Sequence, residues 1–361
     1  NALYTSDVVV GGYSVETGKA GTVVDFAPET TDGLTGELFM FDGQLYGGFT
    51  SGANGIYEGL GRFNGTEVEF LGELGTTTGD GETALGNFVV FQDDLYFTAK
   101  DESGQVQVGR FDPDSGTVGL VTDLSSGVFG HIKPAVYDGN LYFVAVNSAV
   151  VGGHAVSELM RWTGTEVEAA PGFDLYNASS LFASNGLLYV SGGTDATSTD
   201  RELWTYDGSS TAFVAEIASG VNSSYATNFT EFDGKLFFTA YVGAANSDPR
   251  LFSLENGAVT EEYDPGGYFG EVVVLNGQLY FTAGVDGTHD VDVLRYNGTG
   301  DVTQLTDLNL ADNGIQRPAG LTFADGAIYF AAGPDNEREI YRVDPTTGET
   351  TQVTAIGIDG S

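Results

Sequence analysis

The chain has 361 residues, with 51 Asp and Glu against 13 Lys and Arg, no Cys, 53 Gly and a formal net charge of −38. An apolar fraction of 41% with 24 Phe and 18 Tyr is enough to build a sizeable core, which excludes a fully disordered chain; the acidic balance, with its scattered basic residues, disfavours nucleic-acid binding. Zero Cys excludes disulfide staples, thiol catalysis and Cys-ligated zinc, and no apolar run approaches the ~20 residues of a membrane-spanning helix.

At the N-terminus, residues 1–30 read as the later part of a repeat. Leu3-Tyr4 stands where Leu-Tyr-Phe stands further on, and YSVETGKAGTVV parallels the later YRVDPTTGETTQV, but the strand that should precede them is missing. From residue 36 to 356 one phrase then recurs seven times: an apolar stretch, Asp-Gly or Asn-Gly, and Leu-Tyr-Phe or a near relative. Its anchors are Leu45, Leu95, Leu141, Leu188, Leu236, Leu279 and Ile328, at steps of 50, 46, 47, 48, 43 and 49 residues. The turn dipeptides accept the positive φ of a primed hairpin turn, and a second hairpin follows each one, as in GRFNGTEVEFLG and VLRYNGTGDVTQLT. Two hairpins per period of about 47 residues predict an all-β propeller in a single domain. Seven complete four-stranded antiparallel blades and one partial N-terminal blade favour a ring of eight; a seven-bladed ring with an appended hairpin is the alternative.

The strand before each turn is apolar on nearly every residue, as in FVVF before Gln92, so both of its faces are expected to be buried. Eight residues before each anchor stand Glu37, Asn87, Lys133, Ser180, Asn228, Glu271 and Gly320. Six of the seven are polar, which places a ring of candidate ligand-binding side chains at one mouth of the axial channel. Arg62, Arg110, Arg161, Arg295 and Arg342 share one position of the second hairpin, a regularity expected of scaffold: an Arg stem over an aromatic ring and a carboxylate across the strand pair.

No nucleophile elbow, phosphate loop or dinucleotide fingerprint appears, and His131, His154 and His289 lack paired-ligand spacing. Among the ring residues Glu37 and Glu271 are the carboxylates that a glycoside hydrolase or lyase would use. Short acidic turns offer oxygen ligands for calcium at Asp112, Asp114, Asp286, Asp290 and Asp292, without EF-hand spacing. Sequons at Asn64, Asn177, Asn222, Asn228 and Asn297 permit surface glycosylation.

Glu202-Leu203-Trp204-Thr205-Tyr206-Asp207-Gly208-Ser209, together with Leu279-Tyr280-Phe281-Thr282-Ala283 and Asp286-Gly287-Thr288-His289, resembles the bacterial ELWxxDGT-repeat proteins. Only the fourth repeat has the full Glu-Leu-Trp. The resemblance implies a secreted or surface propeller without an established catalytic set. With no catalytic cluster legible, the expected function is a non-enzymatic extracellular or cell-surface module of a prokaryote that binds a protein or glycan partner or packs in a surface assembly. The carbohydrate-active enzyme is the alternative. Only four Lys and so large an acidic excess suit a saline or marine setting, where salt screens self-repulsion.

Overall fold

The computed structural model describes the backbone of residues 2–3, 9–14, 19–25, 33–51, 57–63, 68–76, 85–128, 132–151, 154–194, 200–243, 247–285, 291–308, 316–333 and 339–354. Side chains are described within 39–48, 59–63, 69–75, 85–128, 132–145, 157–194, 200–243, 247–285, 291–308, 317–333 and 339–354. No described residue is helical, and no helix is long and apolar enough to cross a membrane. Seven four-stranded antiparallel sheets span 33–76, 86–120, 135–169, 176–215, 227–263, 269–304 and 316–352, each with its strands in sequence order. A three-stranded sheet, Ala2–Leu3, Val9–Ser14 and Lys19–Asp25, precedes them. This is the expected architecture of seven complete blades and one partial N-terminal blade.

The turn that opens each blade is set by its dipeptide. Asp42-Gly43, Asp138-Gly139, Asn185-Gly186, Asp233-Gly234, Asn276-Gly277 and Asp325-Gly326 all have φ between 45° and 75° at both residues, the two left-handed positions of a type I′ turn. The second blade makes the same turn with Gln92 (φ 51°) and Asp93 (φ 65°), where a side chain replaces glycine's hydrogen in the left-handed region. Asp93→Gly is therefore expected to raise stability by about 1 kcal/mol, read as a shift of the urea midpoint at unchanged slope. A loss of stability would show that the Asp93 side chain has a role beyond the turn.

Strand alternation then assigns the Leu-Tyr-Phe phrase to two interfaces at once. Leu279 and Phe281 pack with Phe237 and Leu251 of the preceding blade, whereas Tyr280, between them, packs with Ile328 and Phe330 of the next. The same division holds for Leu95 and Phe97 against Tyr46, with Tyr96 turned towards Leu141 and Phe143. It recurs for Leu236 and Phe238 against Tyr189 and Leu203. Six apolar clusters thus join the seven sheets pairwise, and Tyr329 and Ile340 of the last blade form a further cluster with Ala327.

Burial of the first strand is less complete than its apolar run predicts. Met40, Val90 and Val136, one register position in the first three blades, are exposed. The first strand is the free edge of its sheet, so alternate residues near its turn have no neighbouring strand on one side.

In the first three blades the arginine register behaves as scaffold, whereas Arg295 of the sixth meets no carboxylate among the described residues and donates to Asn297 and to the Pro345 carbonyl of the next blade. Arg62 faces Tyr46 on one side and Glu69 on the other, with a 2.5 Å ion pair to Glu69; Arg161 lies likewise between Tyr142 and Glu168, at 2.7 Å. Arg110 pairs with Asp94 and Asp112. In the fifth blade Ser253 occupies that register, and Lys235, on the neighbouring strand, supplies the cation at 3.6 Å from Glu255 and 3.8 Å from Glu262.

Candidate functional site

The polar ring is built on a backbone irregularity. In six of the seven blades the first strand slips register against the second at or beside the ring position, between Thr35 and Leu38, Gly86 and Val89, Tyr176 and Ser180, Thr227 and Thr230, Phe269 and Val272, and Ala319 and Thr322. Each slip is a β-bulge, and Asn87 (φ 55°), Asn228 (φ 52°) and Gly320 (φ 70°) take the left-handed conformation that bulges require and that Asn and Gly accept most readily. The threonine of the Leu-Tyr-Phe-Thr-Ala phrase pins the bulge from the second strand. Thr98 Oγ1 donates to the Gly86 carbonyl and accepts from the Asn87 amide at 3.1 Å; Thr239 Oγ1 accepts from Asn228 at 3.0 Å; Thr282 Oγ1 accepts from the Glu271 backbone amide at 3.1 Å.

From these bulges the side chains reach the next blade. Ser180 Oγ donates to the Ala226 carbonyl at 2.7 Å and Asn228 donates to the Gly270 carbonyl at 3.2 Å. Glu271 Oε2 accepts from the backbone amides of Gly320 and Leu321 at 2.9 and 3.1 Å. The ring is thus a succession of staples between neighbouring first strands, a role its spacing did not announce. Lys133 Nζ lies 5.8 Å from the centre of the Phe39 ring, which belongs to the first blade rather than to an adjacent one. The side chain of Glu37 lies outside the described residues.

Among the ring members with described side chains Glu271 is the carboxyl, and it is partly covered. Desolvation raises its proton affinity above the ordinary carboxyl value, and the two backbone donors oppose that rise without cancelling it. Both donors fall on Oε2, so the two oxygens of the carboxyl are inequivalent. A carboxyl held by the backbone on one oxygen, with its proton affinity moved towards neutrality, is equipped for proton transfer.

The other buried carboxylates are braces. Glu202, of the Glu-Leu-Trp phrase, is 4% exposed and accepts from the amides of Ile217 at 2.8 Å and Ala218 at 3.2 Å. At the equivalent place Gln107 accepts from Thr122 Oγ1 and the Leu124 amide, Asp292 from Thr306 Oγ1 and the Leu308 amide, and Glu339 from Thr354 Oγ1. Asp207, of the Asp-Gly-Ser phrase, closes its turn by accepting from the amides of Ser209 and Ser210 at 2.9 and 2.8 Å. Burial pushes the Glu202 carboxyl up to about 6, against an ordinary 4.5. Folding therefore favours the protonated form: this group's contribution is complete below about pH 4.5 and is lost as pH rises through about 6. The difference amounts to about 2 kcal/mol. Wild type should lose more stability than Glu202→Leu between pH 4.5 and 7, measured by urea unfolding, and parallel pH profiles would contradict this.

The acidic turns considered for calcium have other employment. Asp112 Oδ1 accepts from the amides of Asp114 and Ser115 at 2.9 and 3.1 Å, and Asp292 is fully buried in its brace. Asp114 is exposed, and Asp286 and Asp290 lie outside the described residues. Among the described residues no three His, Asp or Glu side chains converge as a metal site. His131, His154 and His289 have no described side chains. Of the sequons, Asn177 is buried and Asn228 is held between two blades, while Asn297 is exposed on a hairpin and Asn64 lies outside the described residues.

No family model and no curated protein matches the chain. Solved structures do match. An oligogalacturonate lyase in complex with manganese aligns at TM-score 0.56 and 14% identity, over 95% of this chain and 97% of that one. The β-propeller domain of the Trilobed protease from Pyrococcus furiosus aligns at 0.54 and 12%, over 89% and 97%. A prolyl endopeptidase aligns at 0.59 and 15%, over 88% of this chain and 49% of that one. The chain thus spans about half the length of that peptidase. At these identities the likeness establishes the propeller fold and nothing of the chemistry. It also corrects the expectation of a non-enzymatic module, which rested on a propeller without a legible catalytic cluster: peptidases and a lyase share this fold.

Proposed function

We propose that the chain is a carbohydrate-active propeller that cleaves glycans, as a hydrolase or lyase, at the mouth of its axial channel, with Glu271 as the proton-transferring group. The observation that carries this reading is the Glu271 carboxyl itself: partly covered, raised in proton affinity, and fixed on one oxygen by two backbone amides of the next blade. Its position at the start of a first strand is in keeping with a site at one mouth of the axial channel. An oligogalacturonate lyase that aligns over 95% of this chain and 97% of its own is one use of this fold for glycan cleavage. Glu37, on the equivalent position of the first blade, is the second carboxylate that a hydrolytic route needs. The manganese of that lyase finds no matching donor set among the described residues, and no step here is assigned to a metal.

The resemblance to ELWxxDGT-repeat proteins and the acidic, Lys-poor composition support a secreted or cell-surface location in a prokaryote of saline habitat. The test of the functional reading is turnover on a panel of neutral and acidic polysaccharides, read as new reducing ends and as ultraviolet absorbance of unsaturated products. Wild type should act on at least one member, and Glu271→Gln should lower kcat by about 100-fold or more at an unchanged unfolding midpoint. Wild type inert on the whole panel would remove the proposal.

A further inference from the structure

The peptide that joins Gly270 to Glu271 is held at both of its ends. Its carbonyl, on Gly270, accepts from the Asn228 side-chain amide of the fifth blade at 3.2 Å, and its N–H, on Glu271, donates to Thr282 Oγ1 of the sixth blade's second strand at 3.1 Å. A peptide unit is planar, so fixing its carbonyl and its N–H fixes the plane from which the Glu271 side chain departs. Glycine at 270 is what admits the second bond. A Cβ there would collide with Thr282 Oγ1 and push it away from the Glu271 N–H. The Asn228 amide also donates to Thr239 Oγ1 of its own blade at 3.0 Å, which steadies the donor that reaches across.

The side chain of the same residue is met from the other direction. Glu271 Oε2 accepts from the amides of Gly320 and Leu321 of the seventh blade, and Gly320, at φ 70°, has the left-handed conformation that turns two successive N–H groups to one side. Three consecutive blades therefore converge on Glu271: the fifth through Asn228, the sixth through Thr282 and the seventh through two amides. An oxygen that already accepts two N–H bonds is the poorer base of a carboxyl, so the proton is carried on Oε1.

We infer that Asn228 is a positioning residue for Glu271: by holding the Gly270 carbonyl from the fifth blade, it aims Oε2 at the amides of Gly320 and Leu321 and leaves Oε1 to carry the proton. This inference rests on the reading of Glu271 as the proton-transferring group and adds the residue that orients it. Asn228 has φ 52°, a conformation that glycine adopts without strain, so Asn228→Gly removes the amide and keeps the backbone. The bond from Asn228 to Gly270 lies at the surface, where water replaces it at small cost to stability. The consequence of losing it belongs at Glu271 rather than in the unfolding midpoint.

The test is NMR of the full chain, following the Gly320 and Leu321 amide protons as Glu271 titrates. In wild type both signals should move with pH, because an N–H that donates to a carboxylate is more strongly hydrogen-bonded than one that donates to a carboxylic acid, and Glu271→Gln should abolish the movement. Asn228→Gly should lose most of it. Thr282→Val, which opens the other end of the same peptide and keeps the branched shape, should do likewise and serves as the second variant. Thr98→Val, at the bulge of the second blade, should titrate as wild type. On a glycan that wild type cleaves, Asn228→Gly should lower kcat about 10-fold with KM changed by less than about twofold. Amide signals that titrate in Asn228→Gly as in wild type, or that are lost equally in Thr98→Val, would overturn the positioning role. The two readings fail separately. Wild type inert on every glycan, with the Asn228-dependent titration present, would remove the catalytic assignment and uphold the orientation of Glu271. Glu271-dependent turnover beside a titration indifferent to Asn228 would do the reverse.

Discussion

Phe281→Ala is expected to destabilise the fold by about 3–5 kcal/mol, the range for deleting a fully buried aromatic ring. Phe281 has no exposed surface and lies at the centre of the interface between the fifth and sixth blades. Its ring stacks on Phe269 at a centroid distance of 5.0 Å and meets Tyr263 at 5.4 Å, while Leu279, on the same strand and face, packs beside it. The loss combines the transfer energy of the ring with a cavity that two rigid sheets cannot close. Val221→Ala, at a side chain 78% exposed, should change stability by less than about 0.5 kcal/mol in the same urea titration. A Phe281→Ala cost close to that of the control would mean that neighbouring blades are not packed through this phrase.

Glu262→Ala should cost a comparable amount, about 3–5 kcal/mol, for an electrostatic reason. Its carboxylate is 1% exposed and accepts from Ser253 Oγ at 2.5 Å and, across the blade interface, from the Tyr296 hydroxyl at 2.6 Å, with Lys235 Nζ at 3.8 Å. Burial opposes ionisation, but the hydroxyls of Ser253, Tyr296 and Thr299 and the charge of Lys235 outweigh it and hold the carboxyl below its ordinary value. Removing the acceptor leaves two buried hydroxyls unpaired. The sign of the pH dependence is opposite to that of Glu202. A depressed folded-state proton affinity stabilises the fold above the ordinary carboxyl value of 4.5, and the gain disappears as pH falls below it. Glu262→Gln should therefore cost most near neutrality and progressively less in acid. A cost independent of pH would show that shape rather than charge holds this interface.

The fold was legible because its signals are local and repeated. Asp-Gly and Asn-Gly dictate the primed turns, and the alternation of Leu, Tyr and Phe dictates which neighbour each side chain meets. The site was legible only in part. Spacing identified the register of Asn87, Ser180, Asn228 and Glu271, because a repeat preserves position even where the residue changes. It did not show that this register is a bulge: a slip of one residue inverts the alternation of faces, and a first strand that is apolar on nearly every residue has no alternation to reveal it. The signal that was available is the company these residues keep: Asn or Gly at the slip and Thr in the facing Leu-Tyr-Phe-Thr-Ala phrase.

The measurement that bears most directly on Glu271 is the pH dependence of kcat/KM on whichever polysaccharide the wild type cleaves. With Glu271 as the proton-transferring group, one limb of the profile should fall above the ordinary carboxyl value of 4.5, because burial raises this group. Glu271→Asp should move that limb, and Glu271→Gln should lose it together with turnover. A profile whose limbs are the same in wild type and Glu271→Gln, with turnover retained, would contradict the account.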